Sequence, residues 1–253
     1  MPNVLYSAMD DDPTPWLDSV INFLFSRLPL GGVSWLTVKF LELASKNPRL
    51  RRYVLVLEDI ADARPPSQVE GGSLDDALIS LATLAKFHAR HWMKEESIAV
   101  SDRIWALNRL PKVSQASYAR NREEFLGRFG ELVGDEKMRV IDDTQDRLED
   151  LLAPLAQDPW TLLHGDYRLD NIMFRPNGEI VVIDYQLLSK GRPGWDVAYF
   201  ITTALSADYK SEEETMLKHY HETLLRAGIT NYSFEELVDD VELTKLLLAH
   251  RLV

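Results

Sequence analysis

Residues 160–196 read WTLLHGDYRLDNIMFRPNGEIVVIDYQLLSKGRPGWD, and this stretch decides the fold. Trp160 to Leu163, Ile172 to Phe174 and Ile180 to Ile183 are three apolar runs of strand length, each bounded by polar or turn-forming residues. Pro176, Asn177 and Gly178 supply hairpin-turn chemistry between the second and third runs. Closing that hairpin brings Asp184, at the end of the third run, back beside Asn171, at the start of the second. His164 ends the first run, and Asp166 projects from the loop that follows. A globular core asks for none of these polar side chains.

His164, Asp166 and Asn171 are spaced His-x-Asp-x4-Asn, as in the catalytic loop of protein kinases. The Asn171 carbonyl and the Asp184 carboxylate are hard oxygen donors, the kind Mg2+ takes when phosphate oxygens and water complete its shell. Asp166 is then free to accept the proton of a substrate hydroxyl as that oxygen attacks a phosphorus. Taken singly, Asp166 and Asp170 read as turn caps and Asp184 as a strand end. Together, at this spacing and with strands between them, they carry the functional reading.

HGDYRLDN, IDYQ and GRPGWDVAYF resemble the aminoglycoside phosphotransferase and choline kinase-like superfamily, in its ecdysteroid-kinase-like branch, over roughly residues 53 to 250. The resemblance implies an α+β, protein-kinase-like fold whose mostly helical C-terminal lobe carries the catalytic hairpin. It implies ATP and Mg2+ as cofactors, Asp166 as catalytic base, and Asn171 and Asp184 as metal ligands. It also implies that Asp196 hydrogen-bonds the backbone of the catalytic loop, where the residue would otherwise read as a helix N-cap, and that His164 braces the loop. Tyr185 stands where many relatives carry Trp.

Tyr53 to Leu57 reads as a strand, and Glu58, Asp59 and Ile60 after it resemble the hinge whose backbone pairs with adenine. We therefore expect residues 1–60 to be the remnant of an N-terminal lobe with its hinge strand, and 61–253 the helical catalytic lobe. Upstream, the family pattern fails. Gly31-Gly32 lies between helical patterns rather than in a strand turn, and Lys39 of TVKF reads as a solvated helix lysine rather than the strand lysine that pairs nucleotide phosphates. The expectation is an N-terminal lobe shortened by truncation, deletion or divergence. A last helix that reaches Val253 without a C-cap suggests clipping there too.

The remaining chain reads as helices and connectors. Met1 to Pro15 looks like a loosely ordered lead-in, Trp16 to Leu28 and Leu36 to Leu43 like amphipathic helices, and Ser73 like the cap of a long helix running to Trp92. On that helix His88 reads as a packed or hydrogen-bonded core residue and His91 as a surface one, since no third ligand joins them. Trp105, Tyr118, Phe125, Phe129, Leu132, Ile141, Leu148 and Leu152 are core candidates of a helical segment whose charge runs, Arg122 to Glu124 and Asp142-Asp143, read as solvated. Gly191, Pro193 and Gly194 suggest a tight turn before a helix from Val197. Ser211 with Glu214 and Ser233 with Glu236 read as capping boxes.

The chain of 253 residues has a formal charge of −12 and no cysteine, which excludes disulfides and thiolate chemistry and argues against nucleic acid or an anionic membrane as main partner. With no signal peptide and no apolar run long enough to span a bilayer, we expect a soluble cytoplasmic protein. These readings converge on an ATP- and Mg2+-dependent phosphotransferase acting on a hydroxyl of a small molecule. The alternative is a non-catalytic, pseudokinase-type nucleotide-binding module or a fragment.

Overall fold

The computed structural model describes residues 4–9, 23, 25, 27–46, 53–99, 104–109, 111–204, 207–251 and 253. In chain order the elements begin with β1 (Val4–Met9), α1 (Leu30–Lys46), β2 (Tyr53–Leu57), α2 (Leu74–His91), α3 (Glu95–Ile98), β3 (Trp105–Ala106), α4 (Pro111–Val133), α5 (Asp135–Asp146) and α6 (Leu148–Leu152). They continue with β4 (Thr161–Leu163), β5 (Ile172–Phe174), β6 (Ile180–Val182), β7 (Ser189–Gly191), α7 (Gly194–Ala204), α8 (Glu213–Arg226) and α9 (Phe234–Arg251). The chain divides into two compact units: one gathers Ile60–Arg109 with Asp150–Leu248, the other Asn3–Asp59, Leu110–Glu149 and Ala249–Val253.

In the second of these units, β1 pairs antiparallel with β2, Tyr6 opposite Val56 and Met9 opposite Tyr53. This corrects the expected loose lead-in. Val-Leu-Tyr has high β propensity, but its pairing partner lies more than forty residues away, and no local pattern reveals it. Gly31 and Gly32 do not close a helix. They sit in the first turn of α1, where the amides of Gly32 and Val33 bond to the Pro29 carbonyl at 2.9 and 3.1 Å. Lys39 lies on this same helix, paired with Glu42 at 2.8 Å. Of the helix expected from Trp16 to Leu28, Phe23, Phe25 and Arg27 are helical and Leu28 lies in a bend, while the expected apolar positions Leu17, Ile21 and Leu24 lie outside the described residues.

The same unit has a small core of Tyr118, Met138 and Ile141, against which Phe125, Leu126 and Val133 pack. Phe129 and Leu132, expected inside, are 46% and 82% exposed. The covered stripe of α4 runs instead through Leu126 and Val133, about a quarter turn round the helix. Asp142 is not a free surface charge, because Arg122 grips it with two bonds of 2.6 Å.

In the other unit α2 packs along α8 and also meets β4 and α7. Ser73 caps α2 through the Asp76 amide at 3.1 Å, and Ala77, Leu81, Leu84, Ala85 and His88 form its buried stripe. β7 is the middle strand of a three-stranded sheet, parallel to β3 and antiparallel to β4, with Thr161 opposite Gly191 and Leu163 opposite Ser189. Trp105 thus begins a short strand rather than lying in a helix. β5 and β6 form the expected hairpin, Ile172 opposite Val182 and Phe174 opposite Ile180, and its turn is closed by the Arg175 amide on the Glu179 carbonyl at 2.8 Å.

Helix α7 starts at Gly194, earlier than expected, so Asp196 lies in its first turn rather than at an N-cap. Gly191 is a strand residue and Gly194 a helical one, and the second needs its lack of a side chain: a Cβ there would collide with the Cβ of Asp240, whereas at Gly191 it would meet the movable end of the Leu107 side chain. Ser233 and Glu236 form the reciprocal capping box expected at α9, with bonds of 3.1 and 2.8 Å. Ser211 does not cap α8. The 3-10 turn Ala207–Glu212 runs through it, and the helix begins at Glu213. Among the described residues no helix is long and apolar enough to cross a membrane.

Candidate active site

The hairpin does what its sequence promised. The Ile183 amide bonds to the Asn171 carbonyl at 3.0 Å, extending the β5–β6 register by one pair and bringing Asp184 next to the start of β5. Leu169–Asn171 is a 3-10 turn that lifts the chain out of the loop and into β5. Asn171 is 5% exposed, and its Nδ2 donates to the Asp166 carbonyl oxygen at 2.8 Å and to Asp166 Oδ2 at 3.1 Å. With its amide nitrogen turned to Asp166, its Oδ1 faces the other way.

Asp166 is 8% exposed and keeps one carboxylate oxygen on Asn171. On the other side Arg168 Nε stands 3.4 Å from Asp166 Oδ1, and Arg168 Nη1 stands 3.4 Å from Asp170 Oδ2. Arg168 was not foreseen as a site residue, although its place two positions after Asp166 offered the signal. Asp184 is exposed, has a left-handed backbone with φ of 62°, and accepts a long bond of 3.3 Å from Gln186 Nε2. Such a backbone is costly for a non-glycine residue and is kept where the surroundings fix it.

His164 ties the loop to that strand end. Its Nε2 lies 3.0 Å from the Ile183 carbonyl, which can only accept, so Nε2 carries the proton and Nδ1 accepts from the Asp166 amide at 3.3 Å. Asp196, fully buried, accepts the His164 amide at 2.6 Å on Oδ2 and the Gly165 amide at 2.9 Å on Oδ1. Gly165 has φ of 81°, and a Cβ there would collide with the Leu187 carbonyl oxygen, so only glycine fits. Behind the loop, a cavity of about 110 Å³ is lined in part by Phe87, His164, Tyr167 and Tyr185. The Tyr185 ring lies 4.8 Å from that of His164, and burial pushes its phenol above the usual range.

The structure therefore gathers His164, Asp166, Asn171 and Asp196 into one hydrogen-bonded group, with Asp184 joined to it through Ile183. Glu58 and Asp59 follow β2 in irregular chain, and Ile60 opens the segment Ile60–Arg109 of the unit that carries the loop. Among the described residues, no three of His, Asp or Glu gather to hold a metal. The donor set available to a divalent ion is the Asn171 amide oxygen and the Asp184 carboxylate, both hard oxygens and suited to Mg2+ when a substrate's phosphates supply the rest.

A family model, the ecdysteroid kinase-like family, matches residues 36–229. An 87-residue segment is 33% identical to acyl-CoA dehydrogenase family member 11 of Gallus gallus; it makes up 34% of this chain and only 11% of that protein. Among solved structures, an aminoglycoside phosphotransferase from Streptomyces rimosus aligns over 92% of this chain and 83% of its own, with 18% identity and a TM-score of 0.52. Another, from Alicyclobacillus acidocaldarius, covers 78% of this chain and 60% of its own, with 18% identity and a TM-score of 0.51. At that identity the likeness shows the fold: α+β, mostly helical, of the aminoglycoside phosphotransferase type.

Proposed function

The chain belongs to the ecdysteroid kinase-like family, and on that premise we propose that it is an ATP- and Mg2+-dependent phosphotransferase acting on a hydroxyl of a small molecule. The observation that carries this reading is the bonded group of Asp166, Asn171 and His164 on a loop anchored by Asp196. Asp166 orients the acceptor hydroxyl and takes its proton as the oxygen attacks the γ-phosphorus and the bond from that phosphorus to the β–γ bridging oxygen breaks, releasing ADP; the base contributes about 10²- to 10⁴-fold. Asn171 holds the Asp166 carboxylate with its amide nitrogen, and its oxygen, together with the Asp184 carboxylate, would hold the metal. The bound Mg2+ would neutralise charge on the phosphate oxygens. Glu58, Asp59 and Ile60 would meet the adenine through their backbone groups.

A second reading, a non-catalytic nucleotide-binding module, is favoured by Lys39, which is helical and paired with Glu42 rather than placed on a strand to meet phosphates. Calorimetric titration of the whole chain with ATP, with and without Mg2+, separates the two when combined with Asp184→Ala, Asp166→Ala and an assay of ATP turnover against hydroxylated acceptors. The enzyme predicts Mg2+-dependent binding that is lost in Asp184→Ala, and turnover that is lost in Asp166→Ala while binding survives. Binding without turnover in the unaltered chain favours the module. No binding by folded protein overturns both.

A further inference from the structure

Helix α2 and the β5–β6 hairpin enclose a cleft that opens at the turn of the hairpin, away from Asp184. A cavity of about 560 Å³ lies there, lined in part by Leu78, Ala82 and Lys86 of α2, by Gly178 and Glu179 of the turn, and by His219 of α8. Thr83 and Ile180 line both this cavity and the 110 Å³ one behind the catalytic loop, so the two chambers adjoin. From Ile180 the strand runs four positions, roughly 13 Å, to Asp184. The walls are held in place. Helices α2 and α8 pack along each other, and next to the lining residues Phe87 and His219 the His88 ring meets the Tyr220 hydroxyl at 2.8 Å. On the hairpin side Glu179 is tied to Asn177 by two bonds of 3.0 Å.

Leu78, Ala82 and Ile180 make the interior apolar, and Ile79 beside them is 38% exposed. The polar groups are few. Thr83 spends its hydroxyl proton on the Ile79 carbonyl at 3.0 Å, and the Glu179 carboxylate accepts from Asn177. That leaves Lys86 and His219. Among the described residues neither side chain has a hydrogen-bond or ion-pair partner, in a chain with 40 Asp and Glu against 28 Lys and Arg. An ammonium left unpaired amid so many acids, with an imidazole N–H in the same apolar cavity, calls for an anion. The volume and the sparse polar groups suit a small molecule. Glu179 repels a second negative charge, so a carboxylate suits the cavity better than a phosphate.

We propose that this double chamber binds a small monocarboxylic acid with a compact apolar body. The carboxylate lies at Lys86 and His219, and the apolar end passes between Thr83 and Ile180 into the inner chamber. There it meets Phe87, Tyr185 and the His164 ring that braces the catalytic loop. A void of that size leaves its lining atoms without partners on one side, and a ligand that fills it restores those contacts. Occupancy therefore steadies the loop from behind, which makes the site a regulatory one. Its existence goes beyond the phosphotransferase reading and does not depend on it.

The test is titration of the whole chain with γ-phenylbutyrate, followed by NMR of methyl and aromatic groups. The Leu78, Ala82 and Ile180 methyls and the Tyr185 ring should shift together with one Kd, on the order of 1 mM. Lys86→Met, an exposed change that keeps the apolar stem, should weaken phenylbutyrate ~5- to 10-fold and leave the matching alcohol, phenylbutanol, unaffected. Ala82→Phe, which fills the outer chamber, should abolish binding of both; if it does not fold, Lys86→Met decides. Exchange of the Asp166 amide, which bonds to His164 at 3.3 Å, should slow ~5-fold at a ligand concentration of ~4 Kd, because an opened loop loses the inner chamber. The proposal is overturned if no shift saturates, if the Tyr185 ring does not respond, if Lys86→Met binds phenylbutyrate as tightly as the unaltered chain, or if exchange is unchanged at saturation. None of these readouts uses ATP turnover, so failure of the phosphotransferase reading and failure of this one are told apart.

Discussion

Asp196 and Asp142 are both carboxylate hubs, one in each unit, and they differ in what feeds them. Asp196 is fully buried and takes two backbone amides and an imidazole. Asp142 has a side chain 33% exposed and takes the Arg122 guanidinium twice, at 2.6 Å, and the Tyr118 hydroxyl at 2.5 Å. Amides belong to the main chain, so a carboxylate that binds them dictates where the chain goes. Side-chain donors join two helices whose paths are already set by their own backbone bonds. The first hub shapes a loop, and the second staples α4 to α5.

The widest separation between them should come from deleting the buried hub. Asp196→Ala leaves the His164 and Gly165 amides and the His88 ring without their acceptor, and should cost about 3–5 kcal/mol in urea unfolding. A loss below about 1 kcal/mol would mean that the loop holds itself and that the hub is incidental. Next comes Gly165→Ala. The left-handed backbone and the collision with the Leu187 carbonyl should together cost about 3 kcal/mol in urea unfolding. If the variant is as stable as the parent, the loop has room that the structure does not show.

The same contrast explains what the sequence disclosed. The hairpin, the loop and the Ser73 and Ser233 caps announced themselves because their chemistry is local: Pro176, Asn177 and Gly178 supply the turn, and Ser233 meets Glu236 three residues on, although the same reading placed a cap at Ser211 that a 3-10 turn replaces. The spacing of His164, Asp166 and Asn171 was equally plain, since all lie within eight residues. Contacts across the chain left little trace. The strand Val4–Met9 finds its partner at Tyr53–Leu57, and Asp196 was foreseen as a loop anchor only through family resemblance. His88 and Tyr220 are 132 residues apart, and nothing near either one names the other. Phe129 and Leu132 failed as core residues because a helical stripe can be read in two rotations, and only the neighbouring helix selects one.

The smallest effect belongs to the exposed hub and has a pH signature of its own. Arg122 and Tyr118 hold the Asp142 carboxyl below its usual range, while burial and then the bond to Asp142 push the Tyr118 phenol up to about 12. Asp142→Asn should cost only about 1–2 kcal/mol at neutral pH, since the ion pair is half-exposed and the hydroxyl bond is single. Because the folded carboxyl is the stronger acid, its share of stability is present above the ordinary carboxylate range and fades as pH falls through the lowered value. The Tyr118 share runs the other way: it is complete below the ordinary phenol range and is lost as pH rises through about 12. Asp142→Asn should therefore flatten the acid limb of a stability-against-pH curve and draw the alkaline fall to lower pH. It should leave the exchange of the His164 and Gly165 amides unchanged, because neither of its partners touches the loop. Faster loop exchange in Asp142→Asn would show that the staple and the loop anchor are coupled, and that the division of labour between the two hubs is wrong.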